Sequence, residues 1–303
     1  MIHIIITSYG EPKSTAKAII AFLSQNIKQD FKIIIADPFP ETQVFLKKEF
    51  PKNKNIEFFL DPGEGKSYAL NVLFEKIYSK NPDDIIILTD GDVYVSNNSV
   101  SLILNAFKDK KIGCVTCKPV SLNPRNTKYG YWSHLLFGGV HKVRFDLSNK
   151  EQFFECSGYL FAIRNSVLQG FPLEASEDSI IPFLFWQKGY KIKYVPEAEV
   201  YVLSPQNWKD WKTQKIRNIK GHENLNKIVK EMPRTKSFSS EISKGTFFAL
   251  SYSRNIKEFF WTLNLFCARF YIYLKAFYDL KFKKKSYQDG WRVEKTESTK
   301  TLD

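Results

Sequence analysis

Two aspartates separated by one glycine, Asp90-Gly91-Asp92, are the residues whose spacing most directly indicates chemistry. They follow the apolar run 85–88, which predicts a short buried strand. Side chains at positions i and i+2 lie on the same side of a strand, so the two carboxylates would repel each other without a cation between them. Mg²⁺ and Mn²⁺ prefer oxygen ligands and often link protein carboxylates to phosphates. The motif predicts a metal–diphosphate site, although a solvated turn would also explain it.

Polar residues also follow the three earlier strands that the sequence predicts. These strands are 2–6, 31–36 and 56–60. Directly after them come Thr7, Ser8, Asp37 and Asp61. In an open parallel sheet, ligands bind beyond the carboxyl ends of the strands. The four strand ends therefore predict one shared binding edge.

The elements around these residues alternate between strand and helix, which predicts an α/β fold with a mostly parallel central sheet. Predicted helices are 16–23, 42–49, 67–79, 100–107, 180–188 and 208–222. Further predicted strands are 112–117, 155–163, 190–195 and 199–203. Glu177 and Asp178 are expected at the N-cap and first turn of the helix that follows them. Residues 122–150, with several glycines, are predicted to be irregular.

Composition bounds the class of protein and its partners. A chain of 303 residues with 43% hydrophobic residues can bury a large core. The formal net charge of +13 favours an anionic partner such as nucleic acid, acidic lipid or a phosphorylated substrate. Four cysteines make no disulfide framework at this length and indicate a reducing compartment. The chain opens on a predicted strand without a basic leader, and it contains no long uncharged apolar run, so neither a signal peptide nor a conventional membrane span is expected.

The C-terminal part has a different character from residues 1–230. Residues 234–243 are rich in Ser and Lys and are predicted to be a linker. The segment 259–280 is predicted to be a helix with one aromatic face formed by Phe259, Leu263, Phe266, Phe270, Tyr273 and Phe277. Lysines 281 and 283–285 follow it, and the polar end 286–303 is expected to be frayed. Such a helix either lies in an anionic membrane interface, with residues 256–285 as the contacting segment, or packs on the core.

Taken in order, the motifs resemble those of inverting glycosyltransferases of family 2, which have the GT-A fold. The order is Thr-Ser-Tyr after the first strand, single aspartates after the next two, Gly65-Lys66-Ser67-Tyr68-Ala69-Leu70-Asn71, Asp-Gly-Asp, Glu-Asp and Gln-x-x-Arg. The resemblance covers about residues 1–225 and implies a catalytic domain over 1–230. Residues 231–303 would then form the linker, an amphipathic aromatic helix and a basic tail.

The resemblance implies a role for each donor-side residue. Thr7, Ser8 and Tyr9 would line a nucleotide pocket, and Asp37 and Asp61 would contact the base and ribose of a nucleotide-sugar donor. The donor would be a UDP-sugar by default, with GDP-mannose as the alternative.

The remaining implied roles concern the reacting groups. Lys66 would lie near the nucleotide or diphosphate, and Asp178 would be the catalytic base. Asp92 would be the direct ligand of a divalent cation, Mg²⁺ or Mn²⁺, with Asp90 and His222 also assigned to the metal.

Gln214 and Arg217 match the Gln-x-x-Arg-Trp motif of membrane-linked, often processive relatives, and both are assigned to the donor. Asn218 stands where that motif has Trp. This departure argues against processive polymer synthesis and favours a single addition to a lipid-linked or glycan acceptor. Cytoplasmic residence on the inner face of the cell membrane, without a nucleic-acid partner, is expected.

Two other classes share part of the pattern. Phosphatases of the haloacid dehalogenase type also use Asp-x-Asp after a strand, but there the motif lies near the N-terminus and here three strand–helix units precede it. A non-catalytic basic protein that binds membranes or nucleic acid would explain the charge of +13. It would leave the strand-end carboxylates unexplained, since they repel a polyanion.

Overall fold

The structure, a computed structural model, describes residues 1–173, 175–229, 233 and 238–282. The strands are β1 (Ile2–Thr7), β2 (Phe31–Asp37), β3 (Ile56–Leu60), β4 (Ile85–Asp90), β5 (Tyr94–Val95), β6 (Ile112–Ser121), β7 (Leu160–Arg164) and β8 (Lys191–Val202). The helices are α1 (Pro12–Leu23), α2 (Pro40–Glu49), α3 (Lys66–Ile77), α4 (Ser99–Ala106), α5 (Lys128–Asn149), α6 (Glu177–Gln187), α7 (Trp208–Ile228), α8 (Phe238–Ser251) and α9 (Ile256–Lys281).

The described strands form one eight-stranded sheet in the order β3-β2-β1-β4-β7-β6-β8-β5. Pairings among β1, β2, β3 and β4 are parallel, as is that of β6 with β8. β7 runs antiparallel to β4 and β6, and β5 runs antiparallel to β8. The predicted α/β class with a mostly parallel central sheet is therefore confirmed, since four of the seven pairings of the described strands are parallel.

Alternating side chains of β1 show how the sequence builds a core on each face of the sheet. Ile2, Ile4 and Ile6 lie in one cluster with buried residues of α1, α2 and α4. Ile5 lies in a second cluster with buried residues of α3 and α6. Because successive side chains point to opposite faces, a nearly continuous apolar strand serves both layers. Each buried isoleucine contributes about 2 kcal/mol by removal from water.

A third cluster joins the C-terminal helices to the rest of the fold. It combines Tyr131 and Trp132 of α5 with Trp211 of α7 and with residues of α8 and α9. The Trp132 indole donates a hydrogen bond to the Trp261 carbonyl at 2.7 Å. Helix α9 is therefore docked on α5 and α7. The predicted linker 234–243 is wrong over 238–243, because these residues belong to α8. Residues 234–237 and the predicted basic tail from residue 283 lie outside the described residues, so the division near residue 230 stays a prediction.

The prediction of an irregular segment at 122–150 is wrong, because α5 runs from Lys128 to Asn149. Gly138 and Gly139 suggested a loop, but they lie where α8 crosses α5. A Cβ at Gly138 would lie 3.3 Å from the rings of Phe248 and Tyr252. Thr127 caps the helix by accepting a hydrogen bond from the Gly130 amide. Glycine here permits close helix packing, which composition alone does not distinguish from a turn.

Three smaller boundaries also differ from prediction. β8 is one strand over 191–202, because a register shift against β6 lets it continue through the predicted gap. β7 begins at Leu160 rather than at residue 155. Ser176 is the N-cap of α6, so Glu177 and Asp178 lie in its first turn.

Candidate functional site

The carboxyl ends of β1, β2, β3 and β4 meet at one edge of the sheet. Thr7 is in register with Asp90 on one side and with Ala36 on the other, and Asp37 is in register with Leu60. The predicted strand-end residues are thus neighbours because the parallel register aligns them. The edge is where α/β sheets bind ligands.

Asp37 holds the loop that follows β1. Its carboxylate accepts hydrogen bonds from the Ser8 hydroxyl at 2.6 Å, the Gly10 amide at 3.0 Å and the Phe39 amide at 2.8 Å. Gly10 has φ of +65°, which favours glycine in this turn. The Tyr9 ring packs edge-on against Phe39 with centroids 4.9 Å apart. Asp37 therefore shapes the predicted nucleotide pocket, and its contact with a base remains a prediction.

Asp61 closes the next loop in a similar way. It is 3% exposed, and its carboxylate accepts a hydrogen bond from the Gly63 amide at 2.8 Å. Its own amide donates to the Asp37 carbonyl at 3.1 Å. Gly63 and Gly65 have φ of +84° and +105°, a region that other residues rarely adopt. The Gly-x-Gly-Lys sequence therefore turns the chain tightly from β3 into α3.

That turn delivers Lys66 between two carboxylates. Its ammonium lies 2.7 Å from Asp90 Oδ1 and 2.6 Å from Glu177 Oε1. Thr7 Oγ1 also donates to Asp90 Oδ1 at 3.2 Å. Burial tends to lower the pKa of Lys66, but the charges of Asp90 and Glu177 outweigh burial and raise it, so the ammonium stays charged at neutral pH. Burial raises the pKa of Glu177, and Lys66 opposes that rise.

Gly91 fixes the path of the chain between Asp90 and Asp92. Its amide donates to the Thr7 carbonyl at 2.8 Å. A Cβ at this position would lie 2.8 Å from Ser8 Cβ and 2.9 Å from Thr15 Oγ1. The glycine of the motif is therefore required by the close approach of the β1–α1 segment.

Asp178 lies in the first turn of α6, where the positive end of the helix dipole favours a carboxylate. It accepts hydrogen bonds from the Gly158 amide at 3.2 Å and from the Ser176 hydroxyl. The Cys156 amide donates to its backbone carbonyl at 2.9 Å. The side chain is only partly buried. It is therefore oriented by the segment before β7 and accessible to a substrate.

Tyr159 is a residue that the sequence analysis missed. Burial raises its pKa, the charges of Asp92, Asp90 and Asp178 raise it further, and Arg217 opposes them. The Tyr159 hydroxyl is thus influenced electrostatically by both aspartates of the Asp-Gly-Asp motif, by the predicted base and by an arginine of α7. Tyr159 directly follows Cys156-Ser157-Gly158 in the sequence, and amides of this segment donate hydrogen bonds to Asp178. That position was the signal available in the sequence.

The predicted residues of α7 occupy different positions. Gln214 is half-buried and Arg217, one turn later, is exposed, as is Asn218. His222 Nδ1 lies 3.5 Å from Glu155 Oε2, and the Ser179 hydroxyl donates to the same oxygen at 2.9 Å. His222 thus contacts Glu155, the residue before Cys156, whose amide donates to the Asp178 carbonyl. Its assignment to the metal stays a prediction.

A divalent cation fits the donor set on chemical grounds. Asp90 Oδ1 already interacts with Lys66 and Thr7, and direct binding of a metal by Asp92 stays a prediction. Within the described part of the chain, no group of three or more His, Cys, Asp or Glu side chains could hold a metal ion. A cation at this edge would therefore need oxygens from the substrate, as diphosphate sites commonly do.

A family model and a curated relative both indicate a glycosyltransferase. The family model described as "Glycosyltransferase like family 2" matches residues 2–221. The probable glycosyltransferase YdaM of Bacillus subtilis (strain 168) is 27% identical over 200 residues, covering 62% of this chain and 44% of that protein. The chain thus matches less than half the length of this curated relative.

Two solved structures are also similar. S. aureus TarS 1-349 in complex with UDP-GlcNAc matches with a TM-score of 0.48 and 13% identity over 88% of this chain and 80% of that one. GalNAc-T7 with UDP, GalNAc and Mn²⁺ matches with a TM-score of 0.47 and 18% identity over 89% and 57% of the two chains. Likeness at this level identifies no ligand for this chain.

Proposed function

The chain belongs to the glycosyltransferase-like family 2, and from this premise we propose that it catalyses metal-dependent, inverting transfer of a sugar from a nucleotide-diphosphate donor. The acceptor is a hydroxyl of a lipid-linked or glycan molecule. Family membership sets aside the phosphatase and the non-catalytic binding protein as classes.

One observation carries this proposal. A single side chain, Lys66, joins Asp90 of the strand-end motif to Glu177, the residue before the predicted base. The sequence separation between Asp90 and Glu177 is large, and the fold nevertheless brings them to one ammonium group. This arrangement supports the proposal because the helix that carries the proposed base then begins beside the proposed donor-binding motif, and a direct displacement requires donor and acceptor groups to be close together.

The donor occupies the edge formed by the strand ends. Thr7, Ser8 and Tyr9 line the nucleotide pocket, which Asp37 and Asp61 shape and contact at base and ribose. A UDP-sugar is favoured over GDP-mannose by the family resemblance. Gln214 and Arg217 approach the donor from α7.

The reaction is a single displacement at the anomeric carbon. Asp178 accepts the proton of the acceptor hydroxyl as that oxygen attacks, and the anomeric centre inverts. Lys66 and Arg217 stabilise negative charge on the departing diphosphate. When bound through Asp92, with Asp90 nearby, Mg²⁺ or Mn²⁺ supplies Lewis-acid neutralisation of that leaving group.

The proposal includes the location of the enzyme. It would lie on the inner face of the cell membrane, where a lipid-linked acceptor is presented. Among the described helices, none is both long and apolar enough to cross a membrane. Attachment would therefore be peripheral for this part of the chain.

Calorimetric binding of UDP, GDP and their common sugar conjugates, each with Mn²⁺ and with chelator, tests the donor assignment. We expect one nucleotide to bind with metal and to lose most of its affinity with chelator. Absence of binding to every nucleotide under both conditions would refute it.

Asp178→Asn tests the base with the donor thus identified. We expect turnover to fall by about a thousandfold or more while donor affinity changes less than about threefold, because only proton transfer is removed. Asp210→Asn on the first turn of α7 is the matched control and should retain both properties. Turnover retained by Asp178→Asn would disqualify Asp178.

A further inference from the structure

Helix α9 has an unusual distribution of polar and apolar side chains. Its buried residues include Glu258, Thr262 and Asp279, together with small alanines. Glu258 pairs with Arg125 at 2.9 Å, and Asp279 pairs with both Lys220 and Lys275 at 3.1 Å. Thr262 Oγ1 lies 2.6 Å from the Tyr131 hydroxyl. Glu258, Thr262 and Asp279 are thus turned towards the protein and have their partners there.

The opposite side of α9 is apolar and exposed, although the packed side already buries Leu265 and Ile272 in the third core cluster, so apolar residues lie on both sides of the helix. At 3.6 residues per turn, these side chains form one continuous stripe along the 26-residue helix. We name this stripe the outer face of α9; it consists of Ile256, Phe259, Phe260, Leu263, Phe270, Tyr271, Leu274, Phe277 and Tyr278, all exposed. Of the residues that spacing alone assigned to one face, Phe266 and Tyr273 are half-buried.

Such a long apolar stripe requires a partner, since soluble surfaces rarely keep one exposed. The packed side of α9 is already occupied by the third core cluster, so the outer face is not needed to hold the fold together. It is also convex, being one side of a single helix, and therefore suits a broad surface rather than a small ligand.

Charge identifies the partner. The acidic residues within 256–282 are Glu258 and Asp279, and both are on the buried side. Lysines border the outer face: Lys257 lies 4.7 Å from the Trp261 ring centroid, Lys275 5.4 Å from Tyr278, and Lys281 5.3 Å from Phe277. Three further lysines follow in the sequence at 283–285, beyond the described residues.

We propose that the outer face of α9 lies flat in the interface of an anionic membrane, with Phe270 and Leu274 among the inserted side chains. An apolar stripe bordered by cations and free of carboxylates is the pattern that binds acidic lipid headgroups and the adjacent acyl chains. Pairing with a second copy is disfavoured, because two such faces would bring their bordering lysines together.

This inference goes beyond the transfer reaction and specifies how the protein meets its surroundings. Helix α9 packs against α7, which carries Gln214 and Arg217. Docking through α9 would therefore hold the proposed active site at a fixed height above the lipid. Vesicle binding needs no donor, so membrane docking and the transfer reaction are tested separately; failure of docking would remove the proposed location and leave the transfer reaction standing.

Flotation of the full chain with vesicles of phosphatidylcholine, with and without phosphatidylglycerol, tests the proposal. We expect recovery with the anionic vesicles, lower recovery with phosphatidylcholine alone, and a decrease with added salt. Phe270→Glu and Leu274→Glu should each lower the vesicle partition coefficient roughly tenfold or more, because an inserted apolar group is replaced by a charge that acidic lipid repels.

Val44→Glu is the matched control, since Val44 is a 69% exposed apolar residue on α2. It should bind vesicles as the wild type does, and all three variants should keep the thermal unfolding transition and donor binding. The proposal fails if the wild type does not float with anionic vesicles, or if the α9 variants float equally well. It also fails if size-exclusion chromatography with light scattering shows that these variants only convert a dimer to a monomer.

Discussion

The ammonium of Lys66 lies 2.6 Å from Glu177 Oε1, and Glu177 immediately precedes the proposed base Asp178. Because Asp90 shares the same ammonium at 2.7 Å, one cation neutralises two carboxylates that would otherwise repel each other. Glu177 is nearly buried, with 9% of its side chain exposed. Glu177 therefore helps to hold Lys66 against Asp90.

Lys66→Met should therefore lower the free energy of unfolding by about 3 kcal/mol at neutral pH. This decrease in stability is at the lower end of the range for breaking a buried ion pair, because Glu177 can take up a proton and so avoid a buried charge. Lys66→Met combined with Glu177→Gln should be more stable than Lys66→Met alone, since the more buried of the two uncompensated carboxylates is gone. Urea unfolding of the four proteins in this cycle measures the interaction.

Lys118→Met is the control for that cycle. Lys118 pairs with Glu199 at 2.9 Å, and both side chains are about a third exposed. Its removal should cost under about 1 kcal/mol. If the effects of Lys66→Met and Glu177→Gln simply add, the two residues do not interact in the manner described.

Gly91→Ala should displace the Asp-Gly-Asp motif, because the added Cβ would crowd the β1–α1 segment. The new Cβ would lie 2.8 Å from Ser8 Cβ, so the β1–α1 segment or the Asp90–Asp92 turn must move. We expect about 1–3 kcal/mol of destabilisation and at least a tenfold loss of donor affinity, measured by urea unfolding and calorimetry. Gly245→Ala makes the same chemical change in α8, where no atom of the described residues lies within 4 Å of the added Cβ. It should be neutral or stabilising by up to about 1 kcal/mol. Equal effects of the two substitutions would rule out the crowding argument.

The sequence was informative where local pattern and parallel pairing decide the structure. Apolar runs located β1 to β4, and the aspartates after them lie at one edge because the parallel register aligns strand ends. Neither the Lys66–Glu177 contact nor the position of Tyr159 followed from local pattern. Both depend on β7 inserting antiparallel between β4 and β6, which brings the segment before Leu160 and the start of α6 to that edge.

The C-terminal helices illustrate a second limit. Spacing found the aromatic stripe of α9 but could not say which side packs, because apolar stripes normally face a core. The packing side was decided by partners on other elements, such as Arg125 for Glu258 and Lys220 for Asp279. Likewise, Gly138 favours a turn when only its sequence neighbours are considered, but in the structure it lies inside α5 against Phe248 of α8. Long-range partners of this kind are not encoded in a local window.

The Arg125–Glu258 pair should make the attachment of α9 sensitive to acid. Hydrogen bonding to Arg125 holds the pKa of Glu258 below its ordinary value of 4.5, so the folded state favours the ionised carboxylate. That stability is present above pH 4.5 and is lost as pH falls through the lower folded-state pKa. Glu258→Gln should cost about 1–2 kcal/mol at neutral pH, and its difference from the wild type should shrink as the pH is lowered below about 4.5.

Urea unfolding across this pH range measures that difference. Glu75→Gln, at an exposed position of α3, should follow the wild type at every pH. A gap between Glu258→Gln and wild type that stays constant down to strongly acidic pH would contradict the proposed linkage.

Tyr159→Phe should separate catalysis from stability at the centre of the site. Burial and the charges of Asp92, Asp90 and Asp178 raise the pKa of Tyr159, so its hydroxyl remains protonated at neutral pH, and we expect it to donate to the donor diphosphate. Removing it should lower kcat/KM roughly 10–100-fold, as loss of one oriented donor does. The free energy of unfolding should change by less than about 1 kcal/mol, because the ring and its contact with Phe137, at a centroid distance of 6.0 Å, remain.

Tyr201→Phe is the control for this prediction. It removes a hydroxyl that donates to Glu199 at 3.3 Å and should leave turnover unchanged. Release of nucleotide diphosphate from the donor identified by calorimetry measures both variants, and equal turnover by the two would show that the Tyr159 hydroxyl does not act on the reacting groups.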